Sequence, residues 1–118
     1  MASFLFVLGT GPENPSNATR CMQLASVALE EGHEVNVFFL DNGVFFARKG
    51  MMENIVAPTG DEMQDHAEKL VMAKVPFYAC TPCAVARQVG EADLMEGAQF
   101  GTAKKLIALA AESKVFNF

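Results

Sequence analysis

Ser3-Phe4-Leu5-Phe6-Val7-Leu8, followed at once by Gly9-Thr10-Gly11-Pro12-Glu13-Asn14-Pro15, is the stretch whose reading decides the fold. An unbroken apolar run of this length has no polar alternation, so it reads as a strand buried on both faces, the kind that parallel sheets use. The turn-rich segment ends that strand, and Ser16 or Asn17 is placed to cap the next element. From Ala18 onward, Cys21, Met22, Ala25, Ala28 and Leu29 recur at helical spacing as far as Gly32, which predicts a helix with one apolar face. Glu34 to Leu40 then carries Val35, Val37, Phe38, Phe39 and Leu40, a second buried strand. Two buried strands joined by an amphipathic helix form the repeating unit of an α/β fold.

The same alternation continues outward. Asp41-Asn42-Gly43 closes the second strand, and Val44 to Lys49 reads as a short helix or turn carrying Phe45 and Phe46. Asp61 opens a helix on which Met63, Ala67, Leu70 and Val71 share a face, with Asp61 and Glu62 at its positive end. After Pro76, Phe77-Tyr78-Ala79-Cys80 is a third strand and Pro82 to Val89 a short helix. Glu96 to Phe100 carries a weakly signalled fourth strand. Thr102 to Ser113 is a helix with Ala103, Leu106, Ile107 and Ala110 on one face, and Val115 to Phe118 is a fifth strand. The expectation is a three-layer α/β/α sandwich around a mainly parallel five-stranded sheet, in one domain spanning residues 1–118.

Composition narrows the function. Nine basic and fourteen acidic residues leave a net charge of −5, which argues against nucleic acid and against anionic membrane surfaces. The apolar run at the start lacks a basic flank and is too short for a secretory signal, and no window is long enough to span a bilayer. Three cysteines in 118 residues do not make a disulfide scaffold. A soluble, cytoplasmic protein is expected.

In open parallel sheets, sites gather at the carboxyl ends of strands. Two such ends carry chemistry here, Gly9 to Ser16 and Cys80-Thr81-Pro82-Cys83. Thr81 suits an N-cap and Pro82 the first helical position, which sets Cys83 in the first turn, where free N–H groups favour a thiolate. Arg87, one turn on, adds a positive charge if it folds back. Cys83 is thus the expected reactive thiol, with Cys80 as its helper. A buried structural pair, a dithiol oxidoreductase and a persulfide carrier all remain open. Zinc is disfavoured because one Cys-x-x-Cys supplies half the ligands. A thioredoxin-like site is disfavoured because the motif follows the third strand and no later proline faces it.

The first turn matches neither the phosphate loop nor the dinucleotide fingerprint, since no Gly-Lys-Ser/Thr follows and Asn14 takes the third glycine position. Nucleotide or flavin is therefore not expected, and neither a cofactor nor a metal is assigned. The turn is expected to pack beside Cys83. Cys21 is expected in the core, His33 in a turn or edge role, and His66 has no partner identifiable from sequence.

Phe6-Val7-Leu8-Gly9-Thr10-Gly11-Pro12-Glu13, Gly32-His33-Glu34-Val35, Phe38-Phe39-Leu40, Gly43-Val44, Cys80 to Cys83, Ala92-Asp93-Leu94-Met95-Glu96-Gly97-Ala98 and Lys114-Val115-Phe116-Asn117-Phe118 occur in this order. In that order they resemble the DsrE/DsrF-like family of small α/β proteins, which also takes in YchN-like and sulfur-relay TusD-like proteins. The resemblance implies an intracellular sulfur relay. In its sulfur-carrying members a cysteine starts the helix after the third strand, followed by small apolar residues and an arginine. Cys83-Ala84-Val85-Ala86-Arg87 fits that pattern, so the implied acceptor is Cys83, while Cys80 resembles an extra cysteine of some prokaryotic members. Sulfur donor and acceptor proteins are the implied partners, and homotrimers or homohexamers the implied assembly. Phe45, Phe46, Met51 and Met52 then serve either as an interface patch or as a cover for the end of the sheet. The alternatives to a carrier are a thiol-disulfide oxidoreductase using Cys80 and Cys83, or an oligomeric regulatory or binding module.

Overall fold

In a computed structural model that describes residues 1–118, strands and helices alternate as the hydrophobic pattern requires. The strands are β1 (Ser3–Leu8), β2 (Glu34–Phe39), β3 (Phe77–Cys80), β4 (Ala98–Gly101) and β5 (Lys114–Asn117). The α-helices are α1 (Pro15–Glu30), α2 (Met63–Met72), α3 (Thr81–Ala86) and α4 (Ala103–Ala111). Short 3-10 turns cover Asp41–Ala47, Met52–Asn54 and Glu91–Asp93.

The sheet runs β4-β3-β2-β1-β5 and every pairing is parallel. From β1 the chain steps outward through β2 and β3 to β4, then crosses back to place β5 on the other side of β1. With crossovers of one hand, a reversal of direction moves the connecting helix to the opposite face. Two separate apolar clusters bear this out. On one face Phe6, Leu8, Val37, Phe39, Phe77 and Ala79 join buried residues of α1, α2 and α3 in a cluster of 23. On the other, Leu5, Val7, Phe38 and Tyr78 meet only Leu106, Leu109 and Ala110 of α4 and the ends of two strands.

Several boundaries differ from the sequence expectation, for local reasons. Asn14 caps α1, its side chain accepting from the Asn17 N–H at 3.1 Å, because Pro15 already occupies the first turn. Helix α2 starts at Met63, two residues after the expected Asp61. Asp61 instead stays in the preceding loop, where its carboxylate meets Arg20 of α1 at 3.2 Å and His66 of α2 at 3.1 Å. His66 therefore has a partner, and the three residues tie α1 to α2. Helix α4 turns Leu106, Leu109 and Ala110 to the sheet, whereas Ile107 is 66% exposed and not on the packed face.

The residues considered for an interface patch cover the sheet instead. Phe46 and Met52 are buried, and Phe45 and Met51 pack partly buried against the same core. Phe39 lies between Phe46 and Phe77, with ring centroids 6.4 and 5.9 Å away. Cys21 is fully buried in α1, as expected. His33 accepts the Ala2 N–H at Nδ1, 2.9 Å, an edge role that ties the start of β1 to β2.

Candidate functional site

Three chain segments converge at the carboxyl ends of β1, β2 and β3. At β3 the strand ends on Cys80 and passes directly into α3. Thr81 is the first helical residue and does not cap the helix; its hydroxyl donates to the Gly101 carbonyl at 3.2 Å and pins the junction to β4. Pro82 fits the first turn, as its missing N–H removes only a donor that has no helical acceptor there. Helix α3 stops at Ala86, short of the expected Val89. Cys83 is thereby set at the rim of the sheet, partly exposed, beside Cys80.

The end of β2 supplies the other wall. Asp41 turns the chain with a left-handed φ of +46°, a conformation Asp tolerates better than most side chains. Gly43 follows, where an added Cβ would lie 2.0 Å from the Leu8 carbonyl oxygen; only glycine lets the two strand ends close up. At Gly11 a Cβ would come within 2.5 Å of the Asn42 carbonyl oxygen, so the turn after β1 is locked against the turn after β2. That interlock holds Asp41 and Asn42 against α3. The Cys83 Sγ–H donates to Asp41 Oδ1 at 3.7 Å. Arg87 donates through Nε to Asn42 Oδ1 at 2.8 Å and through Nη1 to the Cys83 carbonyl at 3.2 Å.

Arg87 does fold back, but onto an amide and a carbonyl. The expected low-pKa thiolate is not what this geometry produces. Burial pushes the Cys83 thiol above its ordinary value, the adjacent Cys80 sulfur and the Asp41 charge push it further, and only the Asp41 backbone N–H pulls it down. Cys21 is pushed up by burial alone.

The turn after β1 reaches the site through Asn42. Glu13 accepts the Gly11 N–H at 3.0 Å, and this bond, its own N–H, the Asn42 side chain and the Arg87 charge hold its carboxyl below the usual range despite some burial. The Gly9 N–H is taken by the Phe118 carbonyl at 2.8 Å and the Gly11 N–H by Glu13, so neither of these two donors is free for an anion. No three His, Cys, Asp or Glu side chains converge as a metal-holding group. No helix is long and apolar enough to cross a membrane.

Sequence reasoning marked Cys80, Cys83, Arg87 and the first turn. By sequence alone, Asp41 and Asn42 mark only the end of β2. Their position at the carboxyl end of the strand beside β3 is the signal that could have found them.

A family model for the DsrE/DsrF-like family matches residues 2–118. The uncharacterized protein MJ0989 of Methanocaldococcus jannaschii is 36% identical over 110 residues, covering 93% of each chain. Uncharacterized protein MK0008 of Methanopyrus kandleri is 31% identical over 110 residues, covering 91% of this chain and 85% of that one. Among solved structures, the ychN protein from E. coli superposes with a TM-score of 0.84 at 21% identity, and protein MTH1491 from Methanobacterium thermoautotrophicum with 0.68 at 17%, each covering both chains fully. The fold is theirs, and with a family match running nearly from end to end, the chain belongs to the DsrE/DsrF-like family.

Proposed function

We propose that this protein is a sulfur-relay carrier in which Cys83 accepts a sulfur atom from a donor protein and passes it to an acceptor protein. The observation that carries this reading is the contrast among its thiols: Cys83 and Cys80 stand partly exposed at the strand ends, while Cys21 is sealed in the core. The step balances without an external oxidant. Cys83, as its thiolate, attacks the terminal sulfur of a donor persulfide R–S–SH, the S–S bond of the donor breaks, and R–S⁻ leaves and takes up the Cys83 proton. The products are R–SH and Cys83–S–SH.

We assign the carrier to the cytoplasm, where reducing conditions keep the acceptor thiol free, with donor and acceptor proteins as its partners. We assign the assembly as a homotrimer or homohexamer, supported by the apolar side chains left uncovered on α4 and β5, where Ile107, Val115 and Phe116 are 66%, 48% and 43% exposed. Light scattering coupled to gel filtration measures this.

Loading with inorganic polysulfide followed by intact-protein mass spectrometry tests the carrier. The expected result is a gain of one sulfur atom in wild type and in Cys80→Ser, and none in Cys83→Ser. A second reading, a dithiol oxidoreductase, is favoured by the proximity of the Cys80 sulfur to Cys83. It requires a reversible Cys80–Cys83 disulfide and makes Cys80→Ser as inactive as Cys83→Ser.

A further inference from the structure

Asp41 is the only carboxylate that accepts a hydrogen bond from Cys83, and it reaches the thiol from a different strand end. Its left-handed backbone is held by the Gly43 approach to Leu8, so the side chain is delivered to Sγ by the fold and not by an accident of a loose loop. An anionic acceptor favours the protonated form of its donor, and the reaction proposed above needs the deprotonated one. We propose that Asp41 acts as a gate on Cys83: it keeps the sulfur protonated in the free protein and releases it to sulfur donors that bring positive charge against Asp41.

This rests on the reading of Cys83 as sulfur acceptor. The other groups facing the thiol do not substitute for such a cation. Cys80, from the end of β3, acts in the same direction as Asp41. Arg87, on α3 itself, has its guanidinium on Asn42 and the Cys83 carbonyl. Glu13, from the β1 turn, is bonded to the Gly11 N–H. From α4, Lys105 lies over the Tyr78 ring, 5.4 Å from its centroid. The site thus lacks a free positive group of its own, and the chain carries a net charge of −5, so a basic donor surface complements it. A lysine or arginine set against the Asp41 carboxylate cancels its pull on the proton, while the Asp41 N–H, which favours the thiolate, stays in place.

The test is the pH dependence of Cys83 alkylation by iodoacetamide, in a Cys80→Ser background, for Asp41 and for Asp41→Asn. Asn is nearly isosteric and accepts a left-handed φ, so the turn is kept; Asp41→Gly is the second variant and has no strain there at all. In both variants the midpoint is expected to fall by about 0.5–1 unit, the share of a nearby charge effect that survives at an exposed site. The rate at neutral pH rises by roughly 3–10-fold. The wild-type preference for cystamine, a dicationic disulfide, over neutral hydroxyethyl disulfide should also exceed that of Asp41→Asn several-fold, since the better leaving thiol of cystamine favours it equally in both proteins. A midpoint that stays or rises in both variants, or a preference for cystamine that is undiminished in them, overturns the gate. Alkylation involves no sulfur transfer, so a gate that stands while polysulfide loading fails removes only the carrier reading. Loading that succeeds with an unmoved midpoint removes only the gate.

Discussion

The two faces of the sheet are built to different depths. Beneath α1, α2 and α3 lies a cluster of 23 buried residues, including the stacked Phe39 and Phe77 rings. Beneath α4 lie four buried residues, and none of the residues of α4 itself is buried. The difference follows from topology. Three of the four crossovers run in one direction and share one face, leaving a single nine-residue helix for the other. The deep face supplies stability and fixes the strand ends that hold Cys83. Uncovered apolar side chains occur on both sides, Ile107 and Val115 on the shallow one and Phe116, stacked on Phe6, at the edge of the deep one, and these are what an assembly of copies would bury.

The contrast can be tested from its strongest side to its weakest. Phe39→Ala, on the deep face, should cost about 3–5 kcal/mol in denaturant unfolding, the range for removing a fully buried aromatic ring. Leu106→Ala, on the half-buried side of α4, should cost about 1–2 kcal/mol, because less area leaves water when it packs. If the two costs are equal, the faces are energetically alike and the contrast fails.

Asp61 sharpens the deep face further, since it links α1 and α2 at one end. The Thr59 hydroxyl, then His66 and Arg20, hold its carboxyl well below the usual carboxylate range. A carboxyl depressed in the folded state lends stability above its unfolded value of about 3.9 and loses it as pH falls below that point. Unfolding followed between neutral pH and strong acid should therefore show a steeper acid loss for wild type than for Asp61→Asn. Parallel curves would remove Asp61 from the account. The smallest effect is expected at Ile107: Ile107→Glu should change the stability of the dilute monomer by less than about 0.5 kcal/mol. Sedimentation should nevertheless show the proposed assembly weakened. A monomer destabilised as much as by Leu106→Ala would mean that α4 packs more deeply than its exposure indicates.

Much of this was legible in the sequence, because buried parallel strands leave continuous apolar runs and α1 leaves an unbroken helical period. Ser3 to Leu8, Cys21 and Phe77 to Cys80 needed nothing beyond that. Asp61 was misplaced because an acidic residue before a helix looks the same whether it caps the helix or pairs across to another. Ile107 was misplaced because α4 is alanine-rich and apolar on more than one side, so its period does not single out a face. Asp41 and Asn42 could not be tied to Cys83 by spacing. They lie some forty residues away, and it is the parallel register, Phe39 opposite Ala79, that brings them together.

The pairing of β5 with β1 also bears on how the molecule is made. Phe4 to Val7 take Lys114 to Asn117 as neighbours, and Phe118 closes onto Val7 and Gly9. A ribosome delivers β1, β2, β3 and their helices first, so the deep face can collapse while the nascent chain is still being extended. One flank of β1 must wait, its N–H and C=O groups open to any passing strand, until β5 emerges to claim it. Contacts between such distant parts of the chain form slowly. Docking of β5 is therefore the step at which correct closure competes with aggregation.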